Sequence, residues 1–256
     1  MISPLASVHP EAKIGKDVEI GPFVTIDRDV IIGDHCVIEA NATICRYTQL
    51  GDYCHVFPSA VIGAIPQDLK FKGEVTWTII GDHCVLREFV TIHRGTASKG
   101  KTVVGNNNLI MAYCHVAHDC ILGNNIIMSN ATQLAGEVVV DDFAIVGGGT
   151  LVHQFCHIGG HVMIQGGSKI NKDIPPYIIV ARDPITYCGI NSVGLNRRGF
   201  TAEQIHTIQD AYRIIYQDGL MTAKALENIE ATIPQSVERD MILDFVRNSA
   251  RGIVRN

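Results

Sequence analysis

The chain has 256 residues, 46% of them hydrophobic and 18% charged, with a formal net charge of −5. Such hydrophobicity with so little net charge excludes a disordered polymer, and a negative balance argues against a general nucleic-acid binder, whose affinity comes from neutralised phosphates. No run of eighteen apolar residues occurs, and Met1-Ile2-Ser3-Pro4 lacks the basic-then-apolar order of a secretory signal, so a cytoplasmic protein without an integral membrane segment is expected.

From Val8 onward an aliphatic residue returns every six positions: Ile14, Ile20, Ile26, Ile32, Ile38, Ile44, Leu50, Val56 and Ile62. The same phase resumes at Ile80, Leu86 and Ile92, and again from Val104 through Ile170, with Met128 the only non-aliphatic member. A buried helix stripe needs i, i+3, i+4, i+7 spacing, which a strict period of six does not supply. Each hexad therefore predicts one short strand, too short to bury a face alone, stacked with its neighbours into a parallel β-helix of three hexads per turn. The second place of many hexads is glycine (Gly15, Gly21, Gly33, Gly51, Gly81 and others), which is expected to turn the chain through left-handed backbone. The fifth place is small or β-branched, as in Val18, Val24, Ala42 and Thr132, and marks a second inward position.

Two excursions interrupt the coil, 68–79 and 98–103, each a whole number of hexads so that the phase survives. Loops of this length on a regular scaffold commonly carry function, and the first, with Asp68, Lys70, Lys72 and Trp77, is the stronger candidate. After Ile170 the pattern stops at Asp173-Ile174-Pro175-Pro176. Thr201-Ala202-Glu203-Gln204 then reads as a capping box opening a helix that ends before Gly219, followed by helices over Thr222–Glu230 and Pro234–Arg247. The chain thus divides into a β-helix over 1–190 and a helical domain over 191–256 that caps the prism.

Six of the eight cysteines (Cys36, Cys54, Cys84, Cys114, Cys120, Cys156) fall in the fifth, inward place and are assigned to the core, not to metal or catalysis. The eleven histidines do not reproduce the spacing by which β-helical carbonic anhydrases hold zinc, so no metal site is expected. Residues eighteen apart stack at about 4.8 Å in adjacent coils. His118, Gly136 and Gln154 share one such column. A neutral imidazole beside an approachable glycine N–H is a base with an oxyanion donor, the equipment of acyl transfer. Asp119 follows His118 directly and orients its other ring nitrogen only if a turn brings the two side chains together.

The hexad pattern resembles that of the hexapeptide-repeat acyltransferases, and that resemblance implies a left-handed coil. The segments Ile92-His93-Arg94-Gly95-Thr96, His115-Val116-Ala117-His118-Asp119-Cys120 and Val152-His153-Gln154-Phe155-Cys156 are similar to those of the acyl-carrier-protein-dependent UDP-N-acetylglucosamine O-acyltransferases. Pro66-Gln67-Asp68-Leu69-Lys70, Pro175-Pro176-Tyr177, Gly189-Ile190-Asn191 and Arg197-Arg198-Gly199-Phe200 extend the likeness over nearly the whole chain. The resemblance implies a homotrimer that moves an (R)-3-hydroxyacyl group from acyl carrier protein to the glucosamine 3-hydroxyl of UDP-N-acetylglucosamine, opening lipid A synthesis, with no cofactor.

It further implies His118 as general base and Gly136 as oxyanion donor, with substrate contacts from Gln67, Asp68, Lys70, His93, His115, Glu137 and His153. Gln154, Asn191, Arg197 and Arg198 match nucleotide- and phosphate-contacting positions, and Gly166 matches the position where glycine admits a long acyl chain. The sequence departs from family members that carry histidine at the places of Glu137 and Pro184. The added carboxylate of Glu137 raises a second acceptor, a UDP-sugar bearing a 3-amino group. Lys70, Lys72, Lys99, Lys101 and the C-terminal arginines are candidate contacts for the acidic carrier protein. Two further classes compete: a zinc-dependent β-helical hydratase, sensitive to chelators, and a non-catalytic scaffold, indifferent to loss of His118.

Overall fold

Each hexad head pairs, in parallel register, with the hexad head one turn ahead: Val8 with Ile26, Ile14 with Ile32, Ile20 with Ile38. This is the pairing in a computed structural model that describes residues 1–255. Three sheets of nine, eight and ten strands result, each taking every third strand in chain order up to the last two strands of the ten-stranded sheet. The strands wind as a left-handed parallel β-helix. The register step of eighteen widens only at the excursions, where Ile62 pairs with Ile92 and Ile92 with Val116.

The interior is the stack of first and fifth places. Ile32, Ile38, Ile44, Leu50 and Ile62 are all essentially inaccessible, as are Cys36, Cys84 and Cys114. The inward cysteines are more than small hydrophobes, because their thiols donate across coils: Cys36 Sγ to the Gly51 carbonyl at 3.1 Å, Cys84 Sγ to that of Gly105 at 3.0 Å. Asn108 takes the same place one coil later and bridges the Gly105 and Gly123 carbonyls at 2.9 and 2.8 Å.

The turning residues are not the second-place glycines. Left-handed backbone falls in the fourth place, at Asp17, Phe23, His35, Asn41, Tyr53 and their successors, with φ between 52° and 68° through His161. Of the second-place glycines only Gly63 has positive φ, at 83°. The others are there because the coils approach too closely for a side chain: a Cβ on Gly33 would stand 2.6 Å from the carbonyl carbon of Gly51. Aromatic residues tolerate the fourth place because they stack on one another along the prism edge, as do His35 on Tyr53 at 4.7 Å and Phe89 on Tyr113 at 5.0 Å.

The excursions begin earlier and end sooner than the hexad spacing places them. The chain leaves the coil after Ala64 and returns in the strand Trp77–Ile80; it leaves again after His93 and returns in Lys101–Val104. Trp77 to Ile80 pair one-to-one with Lys101 to Val104, so the residues just ahead of each returning hexad are strand, not loop. Hexad heads alone do not reveal this extension of pairing.

The ten-stranded sheet ends in an antiparallel hairpin, Ile178–Ala181 with Thr186–Ile190, whose turn holds Pro184. Four helices follow: α1 Ser192–Arg197, α2 Ala202–Tyr216, α3 Thr222–Thr232 and α4 Val237–Asn248. The short α1 has no counterpart in the periodicity of the sequence. The capping box forms, with Gln204 N donating to Thr201 Oγ1 at 3.2 Å and Thr201 N to Gln204 Oε1 at 2.8 Å. The helices pack on the end of the coil and along its side. Tyr212 Oη donates to the Pro176 carbonyl at 2.6 Å, and Phe245 of α4 lies against the ring of His157 at 4.5 Å.

Candidate active site

Both excursions emerge from one edge of the prism, between the nine- and eight-stranded sheets, and His118, Gly136 and Gln154 stack on that same edge. There they enclose a cleft of about 550 Å³ lined by Gln67, Asp68, Leu69, Lys70, His93, His115, His118, Gly136, Glu137 and Gln154, with Ala117, Ala135 and Phe155. The structure thus gathers most of the residues singled out from the sequence.

Asp119 occupies a fourth place, with φ 59°. Strand neighbours point apart, but this left-handed step swings the carboxylate back beside the preceding ring, and His118 Nδ1 lies 2.8 Å from Asp119 Oδ2. The carboxylate is fully buried. Its four acceptor positions are all engaged: Oδ1 by the N–H groups of Thr96 at 2.9 Å and Lys99 at 3.2 Å, Oδ2 by the Thr96 hydroxyl at 2.6 Å and by His118. Burial pushes Asp119 up, but the bonds from the Thr96 hydroxyl, the His118 ring and the Thr96 N–H outweigh it and hold the carboxyl below its usual range. An ionised carboxylate only accepts, so Nδ1 of His118 carries the proton and Nε2 of the neutral ring presents a lone pair.

That nitrogen lies over Gly136. A Cβ there would stand 2.5 Å from Cε1 and 2.6 Å from Nε2 of His118, so only glycine admits the ring. At the next edge of the prism the equivalent N–H groups are taken by stacked acids and amides: Asp34 N by Asp52 Oδ1 and Asp52 N by Asp82 Oδ1, each at 2.8 Å. Gln154 stands where such an acceptor would sit above Gly136, and among the described residues no acceptor is bonded to the Gly136 N–H. Gly136 lines the cleft with this donor unspent.

Around this pair, His93 is buried and its pKa falls to about 4 through desolvation, reinforced by His115 and His118. His115 is lowered for the same reasons, burial first and then His118; it touches His93 edge to face at 4.7 Å and Thr91 Oγ1 at 2.7 Å. Two histidines held neutral leave the cleft free of competing positive charge on the ring side. Asp68 accepts from the Lys70 N–H at 2.9 Å, a turn that shapes the first excursion, and the Lys70 side chain is exposed beside the cleft. Glu137 is engaged by the second excursion: Ser98 Oγ donates to Oε1 at 3.1 Å, and Lys99 Nζ lies 3.9 Å from Oε2.

Five of the residues expected to contact substrate lie outside the cleft of this chain. His153 is exposed next to Gln154. Gly166 stacks on the edge that follows the ten-stranded sheet, a different corner of the prism, where a Cβ would meet the Gly148 carbonyl oxygen at 3.0 Å. Asn191 caps α1 and donates to the His161 carbonyl at 2.9 Å. Arg197 is exposed, and Arg198 donates to the Phe143 carbonyl at 3.0 Å while stacking over that ring. The sequence did not single out Thr96 or Ser98, which reach Asp119 and Glu137, and it offered Lys99 only as a carrier contact, whereas Lys99 meets both carboxylates; the only signal for Thr96 was its closing the motif that begins at Ile92.

Residues 11–46 and 101–136 match the bacterial transferase hexapeptide family (six repeats), and residues 173–254 match the family described as UDP N-acetylglucosamine O-acyltransferase, domain 2. Proteins named acyl-[acyl-carrier-protein]–UDP-N-acetylglucosamine O-acyltransferase are 42% identical in Pseudomonas entomophila and 44% in Halorhodospira halophila, each over 99% of both chains. The chain belongs to this O-acyltransferase family. Among solved structures of the family, the UDP-N-acetylglucosamine acyltransferase of Bacteroides fragilis is 60% identical, with a TM-score of 0.99 over 100% of both chains. That of Francisella novicida is 41% identical, with a TM-score of 0.97 over 100% of this chain and 94% of its own. The membership joins the His118 edge and the helical domain in one family, since the hexapeptide match includes Gly136 and the second match begins where the coil ends.

Proposed function

We propose that this acyltransferase moves an (R)-3-hydroxyacyl group from acyl carrier protein to the glucosamine 3-hydroxyl of UDP-N-acetylglucosamine, the first step of lipid A synthesis. The observation that carries the reading is the His118 ring, held by Asp119 with Nε2 against Gly136, whose N–H is unspent among the described residues. Nε2 takes the proton of the sugar hydroxyl as its oxygen attacks the thioester carbonyl. The Gly136 N–H stabilises the oxyanion, the C–S bond breaks, and His118 returns the proton to the departing carrier thiolate. No covalent enzyme intermediate and no cofactor enter this sequence.

Asp68, Lys70, Gln67, His93 and His115 line the path of the sugar and acyl groups in this reading. Arg197, Arg198, Asn191, Gly166 and His153 act across a subunit boundary, where a neighbour's different corner meets this cleft. A homotrimer is supported by the aliphatic outward face of the ten-stranded sheet, with Val37, Val85, Leu109, Ile127 and Ile145, and by Ile65, Leu69 and Val75, which project from the first excursion. No helix among the described residues is long and apolar enough to cross a membrane, and the reading implies a cytoplasmic enzyme.

The test is acyl transfer by purified protein from 3-hydroxyacyl carrier proteins of several lengths to UDP-N-acetylglucosamine, with His118→Ala alongside and mass detection of product. Transfer that vanishes in the folded variant supports reaction and base together; no transfer by folded wild type defeats the reading. The 3-amino acceptor is run in parallel. Because Glu137 is already bonded by Ser98 and faces Lys99, we adopt the hydroxyl acceptor, and equal rejection of the amino sugar by wild type and Glu137→His removes the alternative.

A further inference from the structure

The second excursion wraps the buried carboxylate of Asp119, and its geometry there is directional. Thr96 Oγ1 accepts from the Ser98 N–H at 3.2 Å and lies 2.6 Å from Asp119 Oδ2, so its single proton is committed to the carboxylate. The Thr96 N–H closes a second bond to Oδ1 at 2.9 Å, and Asp119 N donates to Thr102 Oγ1 at 2.9 Å. The same oxygen that receives the Thr96 proton receives that of His118 Nδ1.

We propose that Thr96 is a positioning residue for His118, acting through Asp119: its hydroxyl fixes the carboxylate rotamer and shares the oxygen that His118 leans on. Two consequences follow from hydrogen-bond physics. A carboxylate locked by three other donors holds the imidazole in one tautomer and one orientation above Gly136. A carboxylate oxygen that also accepts the Thr96 proton pulls less on an imidazolium, so loss of the hydroxyl strengthens that pull. Thr96 is itself buried, so it acts without touching substrate.

The inference rests on the proposed role of His118, and its test separates the two. Thr96→Val keeps the shape and removes the hydroxyl; Thr96→Ser keeps the hydroxyl. In the carrier-protein assay Thr96→Val is expected to lower kcat about ten- to a hundredfold, the kinetic equivalent of one hydrogen bond to a charged group, with KM nearly unchanged. The acid limb of its pH–kcat profile moves to higher pH, and Thr96→Ser restores both rate and profile. An unmoved or downward-shifted limb, or a loss that Thr96→Ser does not restore, overturns the proposal.

A substrate-free reading guards against a misfolded valine variant or an inactive wild type. In imidazole-labelled wild-type protein, with the resonance assigned by its loss in His118→Ala, NMR should find the neutral ring protonated at Nδ1, and Thr96→Ser should retain that tautomer. Protonation at Nε2 in wild type overturns the proposal whatever the assay finds.

Discussion

A methyl group on Gly136 and the imidazole of His118 cannot share the prism edge: the added carbon would lie 2.6 Å from Nε2. The two residues are eighteen apart, so the coil sets their spacing at about 4.8 Å and neither backbone has room to retreat. Gly136→Ala is therefore expected to push the ring off the axis toward the acceptor, with kcat falling at least about a hundredfold, as for loss of a positioned base. Thermal unfolding should change little, because His118 faces the cleft. A variant that retains full kcat would mean that the ring position in the cleft does not matter to the chemistry.

Asp119→Asn probes the tautomer. Its carboxamide offers one acceptor oxygen to four donors, and its NH2 faces either His118 Nδ1 or the N–H groups of Thr96 and Lys99. Turned toward the ring, it donates to Nδ1 and places the proton on Nε2, the atom that the proposed mechanism needs bare. We expect kcat to fall by about a hundredfold or more, with near-native binding of UDP-sugar by calorimetry. Equal losses in binding and turnover would point to collapse of the cleft instead.

The coil and its edge were legible in the sequence because the period of six is unbroken, and stacking arithmetic alone put His118, Gly136 and Gln154 in one column. The same arithmetic, carried from Ile62 through Ile92 to Val116, places both excursions on that edge. The period could not reveal where left-handed backbone falls. Glycine at the second place suggests freedom of φ, whereas Phe23, Tyr53 and Phe89 at the fourth place suggest none, and the structure reverses both. Inter-coil distance, not local propensity, decides the glycines. Nor could it reveal that Thr96 meets Asp119, a contact between residues whose separation matches no whole turn.

His161 lies outside the cleft and supplies a stability test. Its ring stacks between Phe143 at 4.9 Å and Tyr177 at 5.5 Å, and its buried Nδ1 has no hydrogen-bond partner among the described residues. Burial, then Arg198, lower its pKa to about 4, with Asp142 opposing. A histidine depressed in the fold favours the folded state fully above its unfolded pKa of about 6.5, and that stability is lost as pH falls from there toward 4. His161→Phe keeps the ring stack and removes the titration. Unfolding midpoints from pH 7 to 4 should fall less steeply in the variant; parallel slopes would show that His161 is not held neutral by its surroundings.

Gly33 and Ala131 set the two kinds of turn position against each other. Gly33 has ordinary φ but no room, since a Cβ would stand 2.6 Å from the carbonyl carbon and oxygen of Gly51 in the adjacent coil. Backbone is the obstacle, and the ladder above and below prevents the coils from parting. Gly33→Ala should cost about 1–3 kcal/mol, the range for overpacking. Ala131 is the opposite case, an exposed side chain at φ 60° with the steric cost of left-handed backbone. Ala131→Gly relieves about 1 kcal/mol of that cost, partly offset by the greater freedom of glycine in the unfolded chain. Denaturant midpoints of the two variants should move apart, Gly33→Ala downward and Ala131→Gly level or upward. The reverse order would restore the second-place glycines as the residues that turn the chain.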